Sequence, residues 1–314
     1  MPLTVALECL NSCSGCEMAI LNMGTAFLDL LPELNVVHMP LLMDHKYYGE
    51  KGGGAALTIP EADVGLVSGG VRNREHMNVA EEMRKKCRII VALGTCATHG
   101  GIPALINSFS NEELLLRYFG PWEKDGPPPS PHENVPPLLD RTYALDEKIK
   151  IDIYLPGCPP HPDSIRNAIQ ALLLGERPTA NAKSVCDSCP ALREGKSIVK
   201  ETRRFTESAE YSAAEPLSRM RCLLEQGFIC MGPVTRGGCA GSSGGAPRCI
   251  IARVPCRGCF GPIKQNGNQL LDLMNALAGR GVDIRGIPDR TSILRFSGAH
   301  RRLVRLSRKS TALK

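Results

Sequence analysis

The chain has 314 residues, 43% of them apolar, enough for two domains with a real core in at least one. No run approaches 18 apolar residues, which excludes a membrane span, and the opening Met1-Pro2-Leu3-Thr4 lacks the regions of a signal peptide, so a cytoplasmic protein is expected. The formal charge of +6 includes a basic tail, Arg301-Arg302 to Lys309; without any nucleic-acid-binding signature it reads as a solvated terminus, and no nucleic-acid partner is expected.

Strand and helix signals alternate through the first half. Leu3–Leu7 reads as a strand, Ala19–Leu31 as a helix stopped by Pro32, and Val36–Met39 as a short strand. Val64–Val67 is an apolar run ending in Gly69-Gly70, followed by an amphipathic helix over Glu75–Lys86 and a buried strand over Ile89–Leu93. Glu123–Pro137 is proline-rich and reads as an excursion from the sheet. Ile151–Leu155 is a further strand and Ser164–Leu174 the helix after it. This order predicts a parallel sheet with helices on both faces.

Past Arg177 glycine, proline and cysteine dominate, and helical periodicity returns only at Leu270–Ala278. The composition places a boundary near 176–183, dividing the chain into domains 1–178 and 179–314. The second part is poor in core formers, and metal ligation can supply folding energy that such a region lacks.

Fourteen cysteines decide the chemistry. In a reducing cytosol they argue for metal sites over disulfides. Cys13 and Cys16 follow the first strand, Cys96 follows Ile89–Leu93, and Cys158 follows Ile151–Leu155. The C-terminal ends of parallel strands converge on one crevice. Three distant loops therefore bring together four thiolates, the complement of one 4Fe–4S cube. Cys186, Cys189, Cys222, Cys230, Cys239, Cys249, Cys256 and Cys259 divide into two further sets of four, leaving Cys9 and Cys87 as small buried apolar residues.

Other readings explain less. A lone C-x-x-C favours zinc or a redox pair, but twelve partitionable cysteines at strand ends and loops favour clusters. Cys9, Cys13 and Cys16 match radical SAM spacing, yet that reading leaves Cys96 and Cys158 idle. Glu17 opens a helix, where a carboxylate complements the N-terminus or relays protons. His99 and His161 neighbour the cysteine loops; each is a structural or solvent-facing histidine by default, or a donor to sulfur. Gly52-Gly53-Gly54 is not followed by the Lys-Ser/Thr of a phosphate loop and reads as flexible. A sheet of this type can bind flavin mononucleotide, but its loops here carry cysteines.

The segments Cys13-Ser14-Gly15-Cys16-Glu17, Gly94-Thr95-Cys96 with Gly100-Gly101, and Leu155-Pro156-Gly157-Cys158-Pro159-Pro160 resemble the small, electron-transferring subunit of nickel–iron hydrogenases. The resemblance covers nearly the whole chain. The related cluster subunit of respiratory complex I shares these first motifs, but it usually has adjacent cysteines where this chain has C-x-x-C, and it lacks the cysteine-rich second half. The run Cys222 to Phe228 and the run Pro255 to Pro262 are similar to a narrower branch: cytoplasmic hydrogenases of methanogens and some bacteria that do not reduce the deazaflavin coenzyme.

The resemblance implies a flavodoxin-like sheet followed by a loop-rich iron–sulfur domain. It implies three 4Fe–4S clusters: proximal on Cys13, Cys16, Cys96 and Cys158, medial on Cys239, Cys249, Cys256 and Cys259, and distal on Cys186, Cys189, Cys222 and Cys230. Cys186 stands where periplasmic relatives have a histidine ligand, and Cys249 where their medial site has a proline. No catalytic residue is expected in this chain beyond Glu17 as a proton relay, because the nickel–iron site belongs to a large subunit. The implied partners are that large subunit, a small iron–sulfur adapter and heterodisulfide reductase. The competing expectation is a cluster-binding subunit of a complex-I-like oxidoreductase without hydrogenase activity.

Overall fold

A computed structural model describes residues 2–45, 47–48, 56–120, 135–179, 181–203, 212, 214–242, 244–287 and 289–304. The Gly52-Gly53-Gly54 run, positions 123–134 of the proline-rich segment and the tail from 305 onward lie outside these residues.

Strands β1 (Leu3–Cys9), β2 (Leu34–His38), β3 (Ala62–Ser68), β5 (Cys87–Leu93) and β7 (Ile153–Leu155) form one parallel sheet in the order β2-β1-β3-β5-β7. The register pairs Val5 with Val64, Val64 with Ile89, and Val91 with Ile153. Strand order reverses direction between β1 and β3, the switch point at which doubly wound sheets of this order open a crevice. Helices α1 (Gly15–Leu21), α2 (Thr25–Leu30), α3 (Arg74–Lys86), α4 (Gly94–His99), α5 (Asn111–Phe119) and α6 (Pro162–Leu173) accompany the sheet.

Alternation along the strands makes two cores, because successive side chains point to opposite faces. Val5, Leu7, Leu66, Val91 and Leu93 pack with Ile20, Ile165 and Ile169 of α1 and α6. Ala6, Val67, Ile90 and Ala92 pack with Val79, Ala80 and Met83 of α3 on the other side. Helices therefore cover both faces, as the element order predicts. The sheet strands run longer than their apolar signals, except β7, which starts two residues later than expected.

Three local expectations are corrected. The single helix over Ala19–Leu31 is two, α1 and α2, broken at Gly24 with φ of 63°. Pro32 sits inside a short 3-10 turn, Leu31–Glu33, instead of ending the helix. Cys87 lies within β5, not before it. Two features had no counterpart in the sequence reading: α5, held by the capping box Ser110/Glu113, and β6 (Leu138–Tyr143), which pairs antiparallel with β4 (Val71–Asn73).

Beyond α6 the described residues form no further sheet strand. Helices α7 (Arg248–Ile251) and α8 (Gln269–Ala278) and short 3-10 turns are joined by loops. Leu273 and Leu277 of α8 pack against Val185, Leu224, Met231 and Val234, while Phe228 anchors a smaller cluster with Leu223 and Met220. The loops return onto the sheet. His99 is buried: a Cβ at Gly261 would stand 2.7 Å from its Nδ1, and Ala299 N–H donates to its carbonyl at 3.1 Å. His300 Nε2 meets Asp146 at 2.7 Å across the same seam. No helix among the described residues is long and apolar enough to cross a membrane.

Candidate metal centres

The first group of cysteines forms where β1, β5 and β7 end. Cys13 and Cys16 flank the start of α1, Cys96 sits in the first turn of α4, and Cys158 follows β7 by three residues. Glycine makes their approach possible. A Cβ at Gly94, whose φ is 83°, would lie 2.3 Å from Cys16 Sγ, and one at Gly101 would lie 2.6 Å from Cys96 Sγ. Real Cβ contacts do not come this close, so no other residue fits here without displacing a thiol.

Thr95 fastens these loops. Its N–H donates to Gly157 O at 2.8 Å, its Oγ1 accepts from Gly157 N–H at 2.9 Å, and its hydroxyl donates to Cys259 O at 2.5 Å. One buried side chain thus ties the β5 loop, the β7 loop and a loop of the second half.

Electrostatics groups the same four thiols. Burial, then the Glu17 carboxylate, then Cys96, Cys158 and Cys13 push Cys16 far above the usual thiol range. Burial, with Cys158 and Cys13 next, pushes Cys96 up to about 12, opposed by the Ile102 N–H.

Cys239, Cys249, Cys256 and Cys259 line a second cavity, and Cys158 and His161 line it with them. Burial, then Cys249, Cys239 and Cys158, push Cys259 up to about 12, against a bond from the Cys158 N–H. Cys186, Cys189, Cys222 and Cys230 line a third cavity, into which Cys256 also reaches. Cys256 N–H donates to Cys230 Sγ at 3.3 Å. Burial pushes Cys186 and Cys230 up to about 12; neighbouring thiols reinforce this, while Arg193 and Arg280 oppose it at Cys186 and backbone N–H groups of Gly232 and Cys256 oppose it at Cys230. The three groups therefore stand in a row. Cys158 joins the first to the second, and Cys256 joins the second to the third.

The donor sets suit iron–sulfur clusters. Four thiols spread around a cavity, with backbone N–H groups aimed at sulfur, match a multi-atom cluster.

The remaining candidates separate. Cys87 is buried in the second sheet core, a Cβ at Gly65 would stand 2.8 Å from its sulfur, and burial pushes its thiol up to about 11. Cys9 is corrected: it is half-buried, with its sulfur 3.4 Å from Ser12 Oγ and 3.6 Å from Ser14 Oγ, a polar site and not an apolar one. Glu17 lies in the first turn of α1, buried, and neither carboxylate oxygen has a hydrogen-bond partner. His99 is fully enclosed and bonds Thr98 Oγ1 through Nδ1 at 2.7 Å, so it is not solvent-facing. His161 caps α6 by accepting from Asp163 N–H at 3.2 Å.

Sequence reasoning missed Thr95, although its motif was visible; hydroxyls carry no long-range signal. It also missed a buried network beside the first group. There Glu8 accepts from Tyr47 Oη at 2.8 Å and lies 2.8 Å from His38 Nε2. These partners are 39 and 30 residues apart, and no local pattern links them.

Comparison with known proteins agrees with this architecture. Residues 13–172 match the protein family described as NADH ubiquinone oxidoreductase, 20 Kd subunit. An F420-non-reducing hydrogenase vhu subunit of Methanocaldococcus jannaschii is 37% identical over 286 residues, covering 91% of each chain. The F420-non-reducing hydrogenase iron-sulfur subunit of Archaeoglobus profundus is 35% identical over 298 residues, covering 88% of each. A chain in the crystal structure of an NAD+-reducing NiFe hydrogenase in the H2-reduced state is 32% identical with a TM-score of 0.50, covering 57% of this chain and 95% of that one. A parallel sheet with cysteine loops at its strand ends is here the frame of an oxidoreductase subunit. The chain belongs to the family of nickel–iron hydrogenase small subunits, alongside the matching iron–sulfur subunits of the F420-non-reducing hydrogenases.

Proposed function

We propose that this chain is the electron relay of a nickel–iron hydrogenase, holding three 4Fe–4S clusters in series. The observation that carries this reading is the row of thiol groups joined through Cys158 and Cys256. Cys13, Cys16, Cys96 and Cys158 would hold the proximal cluster, nearest a large subunit that bears the nickel–iron site. Cys239, Cys249, Cys256 and Cys259 would hold the medial one, and Cys186, Cys189, Cys222 and Cys230 the distal one. Bound clusters supply one-electron redox steps. The thiols surrender their protons on ligation, and the backbone N–H groups of Ile102, Gly232, Cys256 and Gly258 hold the sulfurs in place. Ligation by cysteine alone concentrates negative charge at each site and favours low potentials.

In this reading residues 1–178 present the proximal site and residues 179–314 the other two. The distal site would pass electrons to a small iron–sulfur adapter and, through it, to heterodisulfide reductase in the cytoplasm. Glu17, buried beside Cys16, would be the carboxylate placed to relay protons near the proximal site.

Iron and acid-labile sulfide analysis of the purified complex tests the cluster count. About twelve irons per copy of this chain are expected from three four-iron cubes. A value of about eight, or stoichiometric zinc, would overturn it. Hydrogen-dependent dye reduction by the same preparation tests the hydrogenase assignment, and its absence together with absence of nickel would overturn that.

A further inference from the structure

Arg236 precedes Cys239 by three residues yet lines neither of the two thiol cavities of the second half. It is 8% exposed, and its backbone N–H donates to Gly261 O at 3.0 Å, which fixes the start of the side chain. The guanidinium carries five N–H donors. Among the described residues its one hydrogen bond runs from Nε to Pro262 O at 3.4 Å, and it makes no ion pair. Burial lowers its pKa with no acidic neighbour opposing the shift. A largely buried guanidinium whose terminal nitrogens open onto a cleft gains from an anion placed there.

The surroundings offer room for one. Arg236 borders a cleft of about 330 Å³ between α6, the end of β7 and the loop 236–242. Gly237, Gly238 and Gly241 leave one wall without side chains, and Ser164, Asn167 and Asn181 bring polar groups to it. Glu176 and Arg177 also line the cleft; their charges offset, so Arg236 sets its sign. Asp163, which lies against the same loop, is taken up by Ser242, whose N–H and Oγ donate at 3.1 and 2.9 Å.

We propose that this cleft is a binding site for a small oxyanion, the phosphate or carboxylate group of a small molecule, with Arg236 as its charged ligand and the amides of Asn167 and Asn181 as further donors. The site shares the loop 236–242 with Cys239, but its test by phosphate binding does not require the cluster assignment to be right.

Equilibrium dialysis of the purified hydrogenase complex against labelled inorganic phosphate, with ionic strength held constant by chloride, tests this. Saturable binding of about one phosphate per copy of this chain is expected, with acetate competing. Losing a charge-assisted contact in Arg236→Gln should weaken binding at least about tenfold. Asn167→Asp, at an exposed position of α6, should weaken it too while iron content stays unchanged, which separates binding from folding. Absence of saturable phosphate binding to the wild-type complex, or equal affinity in both variants and wild type, would overturn the proposal. So would looser subunit association in Arg236→Gln with no phosphate binding in wild type, because the counter-charge would then be a partner's carboxylate.

Discussion

The two halves of the molecule are held together by different means. The sheet half has two aliphatic cores, one on each face; Cys13, Cys96 and Cys158 stay outside them, while Cys16 joins one and Cys87 the other. In the second half the cysteines are part of the core: Cys230 and Cys256 pack with Leu224, Met231, Leu273 and Leu277. The sheet therefore folds around hydrocarbon and presents thiols, whereas the loop-rich half places thiols where hydrocarbon would otherwise be. A buried thiol lacking its metal contributes little, so structural dependence on iron should be concentrated after residue 178.

Removing iron with a chelator under oxidation should break this contrast most visibly. Hydrogen exchange is expected to show lost protection across residues 183–303 while β1, β3 and β5 stay protected; uniform loss would refute the division. The cluster-free chain should also respond to pH. Burial, reinforced by Cys158 and Cys13, raises Cys96 in the retained sheet half from 9.0 to about 12, so its contribution is intact below pH 9 and is lost as pH climbs toward about 12. Thermal melts of the cluster-free chain should fall across that window, and those of the iron-loaded chain should not.

A narrower break is Cys256→Ser, at the residue that reaches both the second and third cavities. Iron should fall from about twelve to about eight or fewer per chain, with the proximal spectroscopic signal kept. Retention of all the iron would remove Cys256 from the ligand set. The smallest expected effect is Thr95→Val, which cuts the tie between halves. Loss of buried hydrogen bonds should cost about 1–3 kcal/mol, read as a lower unfolding midpoint in denaturant with iron content unchanged at rest.

The sheet was legible because parallel strands buried on both faces leave continuous apolar runs such as Ile89–Leu93, and because glycines and helices punctuate them. The break at Gly24 was hidden, since apolar periodicity continues across it from Ile20 to Phe27. Strand β6 was hidden for the opposite reason: Leu138–Tyr143 mixes Asp140 and Arg141 into a half-exposed strand with one short partner. The candidate cysteines were visible from spacing and family resemblance. Their supports were not, because Thr95, Gly261 and Gln265 act across more than a hundred residues: Gln265 Nε2, for example, donates to Thr98 O at 3.1 Å. Arg236 carried no signal either, because an arginine in a glycine run reads as solvated until its burial is seen.

One short stretch touches all three sites. Cys256 and Cys259 are separated by two residues; the first donates its N–H to Cys230, and the second gives its carbonyl to Thr95 and lies against Cys158. The segment works as a ruler. It spans two gaps with one piece of backbone, so in the proposed relay an inserted or deleted residue there would reset both tunnelling distances together. In that relay its length would answer to how far an electron must jump, a demand that no side chain in it expresses.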